Sequence, residues 1–421
     1  MNKNEIVRVV IKQKLNEMSD TKSPISVGQN ASSQKSRVAL VRCESYEPSE
    51  ISAAVRRGIA LLGGIGQFAR SSENILLKPN LLSAHKPSEN VTTHPEIVKA
   101  VAEVLIGNNV TVTIGDSTPR GRLATVYRTT GIQKVAEDLG LTLADFENGR
   151  QVSFPAGIRN KQFTIAEGVL KADGLFSLPK LKTHHLTRFT ATIKNQYGCI
   201  PGILKPALHV ALPGVDDFSK MLVDLNLLLR PRLCIMDAIE AMDGNGPSSG
   251  TTYHLNLLAF SADPVALDSV ACRIIDIKPE MVRTNYWGAQ FGLGKMGEAE
   301  IEILGEDISK FHAPDFKIER QPEMRFNEAW RYRRLKNYIT HRPVIDPDKC
   351  KMCGECVDQC PQIPKALSWR KPQAGRPPVF DYLVCIRCFC CQEVCPHKAI
   401  DIKVPVLRRI IDKCYKIMYG D

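Results

Sequence analysis

Eight cysteines in two runs carry the strongest chemistry in this 421-residue chain. The first run is Cys350, Cys353, Cys356 and Cys360 ahead of Pro361, and the second is Cys385, Cys388, Cys391 and Cys395 ahead of Pro396. Two-residue gaps let three thiolates on one tight loop reach three corners of an iron-sulfur cube, while backbone N–H groups point at its sulfurs. The fourth cysteine starts the next segment and reaches the other cube. The expected ligand sets are therefore crossed: Cys350, Cys353, Cys356 and Cys395 for one [4Fe-4S] cluster, and Cys385, Cys388, Cys391 and Cys360 for a second.

The spacing is that of bacterial ferredoxins run twice over. A repeat surrounds it, since Asp346 to Cys350 parallels Asp381 to Cys385, and Lys365-Ala366-Leu367 parallels Lys398-Ala399-Ile400. Two zinc sites are the alternative for CxxC pairs, but zinc leaves the third cysteine and the Cys-Pro terminator of each run without a role. Cys390 reads as a small buried hydrophobe, and Cys43, Cys199, Cys234 and Cys272 as core. Between Cys360 and Cys385 sits an insertion, Ser368 to Pro378, rich in Pro, Gly and Arg.

Ahead of the cysteines, β-branched runs alternate with helical patterns. Strands are predicted over Val38–Val41, Ile75–Leu77, Val110–Ile114, Gly174–Leu178, Arg232–Met236 and Leu255–Phe260. Helices are predicted over Ser49–Leu62, Pro95–Ile106, Val126–Leu139, Asp217–Leu229 and Pro264–Ile275, with His94 and Asp263 as N-caps. That alternation implies a large, mostly parallel-sheet α/β domain over residues 37–305, followed by a small α+β ferredoxin-like domain over 343–404. Residues 1–36 read as a flexible lead-in, and 306–342 as a basic connector containing Trp330 to Lys336. In the 405–421 segment, Leu407, Ile410, Ile411, Cys414, Ile417 and Met418 share a helical face opposite Arg408, Arg409, Lys413 and Lys416. Docking of that face on the protein's own core is the expected arrangement, with peripheral contact to a membrane surface as its rival.

In open α/β sheets ligands bind beyond the carboxyl ends of the strands. The residues after the predicted strands are Lys78-Pro79-Asn80, Gly115-Asp116-Ser117, the stretch Pro179 to His185, and Asp237. This set suits a small anion held by Lys78, Asn80, Lys180 and Lys182, with Lys182, His184 and Asp116 as candidates for catalysis or metal ligation. Lys194 and Asn195, on a short predicted helix ended by Gly198, join it as candidate binding residues. Gly292-x-Gly294-x-x-Gly297 matches the dinucleotide fingerprint by letter, but it follows a helical pattern and precedes a strand, the reverse of what a pyrophosphate needs.

Taken together, Leu77-Lys78-Pro79-Asn80, Gly115-Asp116-Ser117, Leu178 to His184, Ile193 to Gly198, Asp243-Gly244-Asn245-Gly246-Pro247 and Ala262 to Asp268 resemble the family called domain of unknown function 362, often fused to a ferredoxin-like module. The resemblance spans Val38 to about Gly305. It implies one shared site along those motifs and no settled reaction.

Composition fits this reading. Hydrophobic content of 43% and charged content of 24% are those of a globular protein. No apolar run approaches the ~18 residues a bilayer-spanning helix needs. Clustered metal-ligating cysteines point to a reducing, low-oxygen, cytoplasmic setting. The net charge of +11 partly offsets the negative clusters. Nucleic-acid binding rests on charge and the Trp330–Lys336 stretch alone and ranks last. The expected function is an iron-sulfur oxidoreductase passing electrons between two [4Fe-4S] clusters and a small anionic substrate or metal, with a redox protein as partner. The alternatives are a ferredoxin-type carrier, or an accessory factor for metallocentre assembly.

Overall fold

The computed structural model describes residues 34–119, 122–321, 337–369 and 375–419. The lead-in up to residue 33 and the Trp330–Lys336 stretch lie outside them. Its strands are β1 Ser36–Arg42, β2 Asn74–Pro79, β3 Thr111–Ile114, β4 Thr142–Leu143, β5 Gly149–Ser153, β6 Gln162–Ala166, β7 Gly174–Leu178, β8 Lys180–His184, β9 Arg188–Thr190, β10 Leu233–Asp243, β11 Thr251–Ser261 and β12 Ile301–Gly305.

Ten of these form one sheet in the order β12-β1-β11-β10-β7-β2-β3-β4, with β8 and β9 attached beside β10. Six pairings are parallel, including β2 with β7 and β3, and β10 with β7 and β8. The antiparallel contacts are β11 with β1 and β10, and β8 with β9. The central strands are buried on both faces, as a parallel sheet sandwiched by helices requires.

Helices Pro48–Leu61 and Pro95–Ile106 pack their apolar stripes on one face, and Pro264–Ile274 belongs to the core of the other. Phe176 and Phe260 are fully buried, each worth about 2–3 kcal/mol of transfer free energy. The N-caps form as expected: Asp263 accepts from Val265 and Ala266 N–H, and His94 Nδ1 from Glu96 N–H. The expected helix over Val126–Leu139 is two, Leu123–Thr129 and Ile132–Leu139, because Gly131 takes a left-handed φ of 81° between them. Residues 306–321 fold back on the large core through Phe311, Ala313 and Phe316.

The stretch expected as loop after β7 is instead strand. Pro179 ends the β7 pairing, its carbonyl accepts Asp237 N–H at 2.9 Å, and the chain continues as β8 further along β10. Asp237, expected just past a strand end, lies within β10, which runs to Asp243. All five residues of β8, Lys-Leu-Lys-Thr-His, are buried. No period-two polarity marks such a strand, which explains why its sequence reads as loop.

The small domain pairs β13 Arg342–Ile345 with β16 Ile400–Lys403, and β14 Leu367–Ser368 with β15 Val379–Phe380. Helices Glu355–Gln359 and Cys390–Glu393 follow the two cysteine loops. The sequence repeat is a structural one. Cys350 N–H bonds Asp346 carbonyl and Cys385 N–H bonds Asp381 carbonyl, while Asp346 N–H meets Ala399 carbonyl and Asp381 N–H meets Ala366 carbonyl. Each half thus hydrogen-bonds the other at equivalent positions.

Candidate functional site at the domain junction

The cysteine loops are shaped to surround something. Met352 and Gly354 have φ of 54° and 80°, and their counterparts Arg387 and Phe389 have 64° and 61°. Alternating left-handed residues turn successive N–H groups inward, the geometry of an anion-binding nest, and three of the four carry side chains that strain such φ values. Cys350, Cys353, Cys356 and Cys395 line one cavity of about 340 Å³, open to solvent. Burial and the neighbouring Cys395, Cys353 and Cys350 push the Cys356 thiol up to about 12. In the other set, burial and then Cys388, Cys385, Cys356 and Cys360 raise the Cys391 thiol.

A zinc ion draws four thiolates to one point at about 2.3 Å. Cys350, Cys353, Cys356 and Cys395 line a common space instead, and among the described residues no three His, Cys, Asp or Glu side chains close on a single-ion site. Residues and cavity fit a cube. Cys390 is buried as expected, yet it faces a second cavity rather than plain core.

That cavity, of about 590 Å³, lies between the two domains. From the large domain it is lined by Lys78, Asn80, Asp116, Lys194, Asn195 and Lys205, and from the small one by Gln359, Cys390, Glu393 and Val394. At its base Lys78 Nζ pairs with Asp116 Oδ1 at 2.8 Å and donates to Asn195 Oδ1 at 3.0 Å. Asn195 Nδ2 in turn donates to Ser177 Oγ, and Asp116 Oδ2 accepts Leu81 N–H. Both charges of the pair are buried, so the surrounding hydrogen bonds are what make the arrangement tolerable. Gly198 is required here: a Cβ would collide with the Asp116 carboxylate and the Lys78 ammonium.

Lys194 is the exception to this pairing. Its ammonium has no hydrogen-bond or ion-pair partner among the described residues, and burial pushes it down, opposed by the Glu393 carboxylate. Lys205 Nζ donates to Ser117 carbonyl at 2.8 Å, and burial brings it down to about 8. His209 stacks on Phe218 at 4.6 Å, its Nδ1 has no hydrogen-bond partner among the described residues, and burial lowers it to about 4.

Of the residues expected to share one pocket, Lys78, Asn80, Asp116, Lys194 and Asn195 do so. Lys180, Lys182 and His184 are buried but do not line it, because β8 carries them past the strand ends. Lys180 Nζ pairs with Asp237 Oδ2 at 3.0 Å and donates to Tyr46 hydroxyl, whose ring stacks on His94. Lys182 Nζ donates to Val91 carbonyl at 2.6 Å, and burial drives its ammonium well below the ordinary lysine range.

His184 holds the domains together. Its Nδ1 accepts Leu186 and Thr187 N–H, which leaves the ring proton on Nε2, 2.8 Å from Glu393 Oε1. Burial lowers His184 to about 3, so the ring donates to Glu393 as a neutral imidazole. Nearby, Asn245 Nδ2 donates to Ile400 carbonyl and Asp401, Gln392 Nε2 donates to Asn245 carbonyl, and Ser248 Oγ donates to Glu393 carbonyl. Sequence reasoning missed Glu393, Lys205, His209 and Tyr46. Only Glu393 had a signal, as a carboxylate between two cluster cysteines.

Comparison with known proteins agrees with both halves. Residues 75–273 match the Domain of unknown function (DUF362), and residues 342–396 the 4Fe-4S dicluster domain. The chain is 33% identical over 257 residues to a thylakoid-associated protein of Synechocystis sp., covering 61% of this chain and 79% of that one. An uncharacterized ferredoxin of Methanocaldococcus jannaschii is 41% identical over 61 residues, 14% of this chain and 77% of that one. Among solved structures, the lactate racemase apoprotein of Thermoanaerobacterium thermosaccharolyticum aligns with TM-score 0.36 at 13% identity, over 58% of each chain. A Thermotoga maritima protein aligns with TM-score 0.32 at 9% identity, over 53% of this chain and 57% of that one. No helix among the described residues is long and apolar enough to cross a membrane. The ferredoxin-like domain carries iron-sulfur clusters, with two consistent with a dicluster domain, and supports a role in electron transfer. The chain belongs to the DUF362 family, its large domain joined to a 4Fe-4S dicluster domain.

Proposed function

We propose that the protein is an iron-sulfur oxidoreductase that exchanges electrons between its two clusters and a small anionic substrate in the cavity at the domain junction. One observation carries the reading: Lys194, a cation without a protein partner among the described residues, lines the same cavity as Cys390 and Glu393 of the second cysteine loop. An anion on Lys194 would neutralise a charge that burial makes costly. When bound in crossed ligand sets, the clusters supply one-electron transfer.

Lys194 binds the anion, and Asn80, whose buried Oδ1 lacks a partner among the described residues, orients it. The Lys78–Asp116–Asn195 network fixes the floor. Lys205, brought down to about 8, holds a proton it can yield near neutral pH. His184 and Glu393 keep the second loop seated against the cavity. Thiolate ligation at both sets fits a reducing, low-oxygen compartment such as the cytoplasm.

The test is native mass spectrometry of anaerobically purified full-length protein beside Lys194→Met. A small anion bound to the parent and lost from the variant, with iron content unchanged, is the expected result. Equal occupancy in both, or none in either, would leave a ferredoxin-type carrier as the better reading.

A further inference from the structure

The helix Val406–Tyr419 follows β16 directly, and its first turns are inverted relative to an ordinary surface helix. Val406, Leu407 and Ile410 are 71%, 42% and 54% exposed, whereas Arg408 is only 6% exposed. The expected docking of Leu407 and Ile410 on the protein's own core is therefore not what the fold adopts. Arg408 turns inward, Val406, Leu407 and Ile410 turn out, and Ile411 is half-buried. Side chains at 412 and 414–419 lie outside the description.

At 100° per residue, Val406, Leu407 and Ile410 fall within one 100° arc of the helix. Exposed Arg409 and Lys413 fall close together beside that arc. An aliphatic strip flanked by cations suits an interface whose surface is anionic and whose interior is hydrocarbon. The long basic side chains reach the headgroup level while the strip enters the acyl boundary. A protein partner could supply the charge or the apolar surface, but a helix strip this narrow fits a bilayer without a shaped counterpart. The net charge of +11 adds attraction to an anionic surface.

We infer that this helix attaches the protein peripherally to anionic lipid bilayers, with Val406, Leu407 and Ile410 entering the boundary and Arg409 and Lys413 pairing with headgroups. The inference is independent of what the junction cavity binds.

The test is anaerobic flotation of full-length, cluster-loaded protein with two kinds of vesicle, pure phosphatidylcholine and phosphatidylcholine with 30% phosphatidylglycerol. Binding to the anionic vesicles at least about tenfold tighter than to the neutral ones is expected, weakening as salt rises. Leu407→Gln with Ile410→Gln should reduce anionic binding about tenfold or more, and Arg409→Gln with Lys413→Gln should abolish the lipid preference, both with iron content unchanged. Equal binding to both vesicles, no binding, or unaltered binding by the Gln variants would overturn it. So would a concentration-dependent dimer dispersed by Leu407→Gln with Ile410→Gln, which would make the strip a contact between copies.

Discussion

Individual side chains at the junction are specified by charge and by room. Lys78 and Asp116 are fully buried partners, so Lys78→Met strands a carboxylate and should cost about 3–5 kcal/mol, read as a lower midpoint in denaturant unfolding. Gly198→Ala should damage the same network by steric collision, perturbing the cavity even where the fold survives, as hydrogen exchange around Asp116 would report. Histidines give the pH dependence. His184 is lowered to about 3, and His94 and His209 to about 4, each mainly by burial. Their folded-state values lie below the ordinary 6.5, so the unfolded chain takes up protons first as pH falls. Stability present above pH 6.5 is therefore lost progressively between 6.5 and about 3. Asp268, raised to about 6 by burial, and Asp224, also raised by burial, work in the opposite direction over part of that window, but two carboxyls are outweighed by three imidazoles. Unfolding free energy measured across this range should fall with acidity, and His209→Phe should flatten the slope.

At the scale of elements, the cysteine loops and their short helices make a paired unit whose halves exchange hydrogen bonds. Cys395 lines the cavity of Cys350, Cys353 and Cys356, so Cys395→Ser should damage that cluster alone. Cys390→Ser should leave both clusters in place, since Cys390 faces the junction cavity. Paramagnetic resonance of the reduced variants separates these outcomes. Loss of a cluster in Cys390→Ser, with Cys391→Ser unaffected, would reverse the ligand assignment. Strand β8 keeps Lys180, Lys182 and His184 out of the lining of the junction cavity, because it takes them along β10 instead of releasing them into a loop.

For the whole molecule, the anaerobically reconstituted protein should hold about eight iron atoms, and a value near four would remove one cluster from the scheme. Among the described residues the domains meet through the His184–Glu393 pair and through hydrogen bonds of Asn245, Ser248 and Gln392. Asn245→Ala with Gln392→Ala should loosen the small domain without loss of iron, seen as faster hydrogen exchange in residues 243–248.

Sequence alone determined what depends on local spacing. The CxxC runs, the repeat around them, the N-caps at His94 and Asp263, and most helices and strands were legible because turn geometry, capping and periodicity act within a few residues. It also marked Lys78, Asn80 and Asp116 as neighbours, since parallel strand ends gather at one sheet edge, and Lys194 and Asn195 from a short predicted helix ended by Gly198. Only the tertiary structure decided that Lys180, Lys182 and His184 lie in a strand, that His184 meets Glu393 some 209 positions later, and that Lys205 and His209 join the cavity. Burial on both faces erases the polarity pattern by which a strand is recognised, and a contact across domains has no periodicity. It arises where the two domains meet, which settles which charges find partners and which, like half-buried Lys194, have none among the described residues.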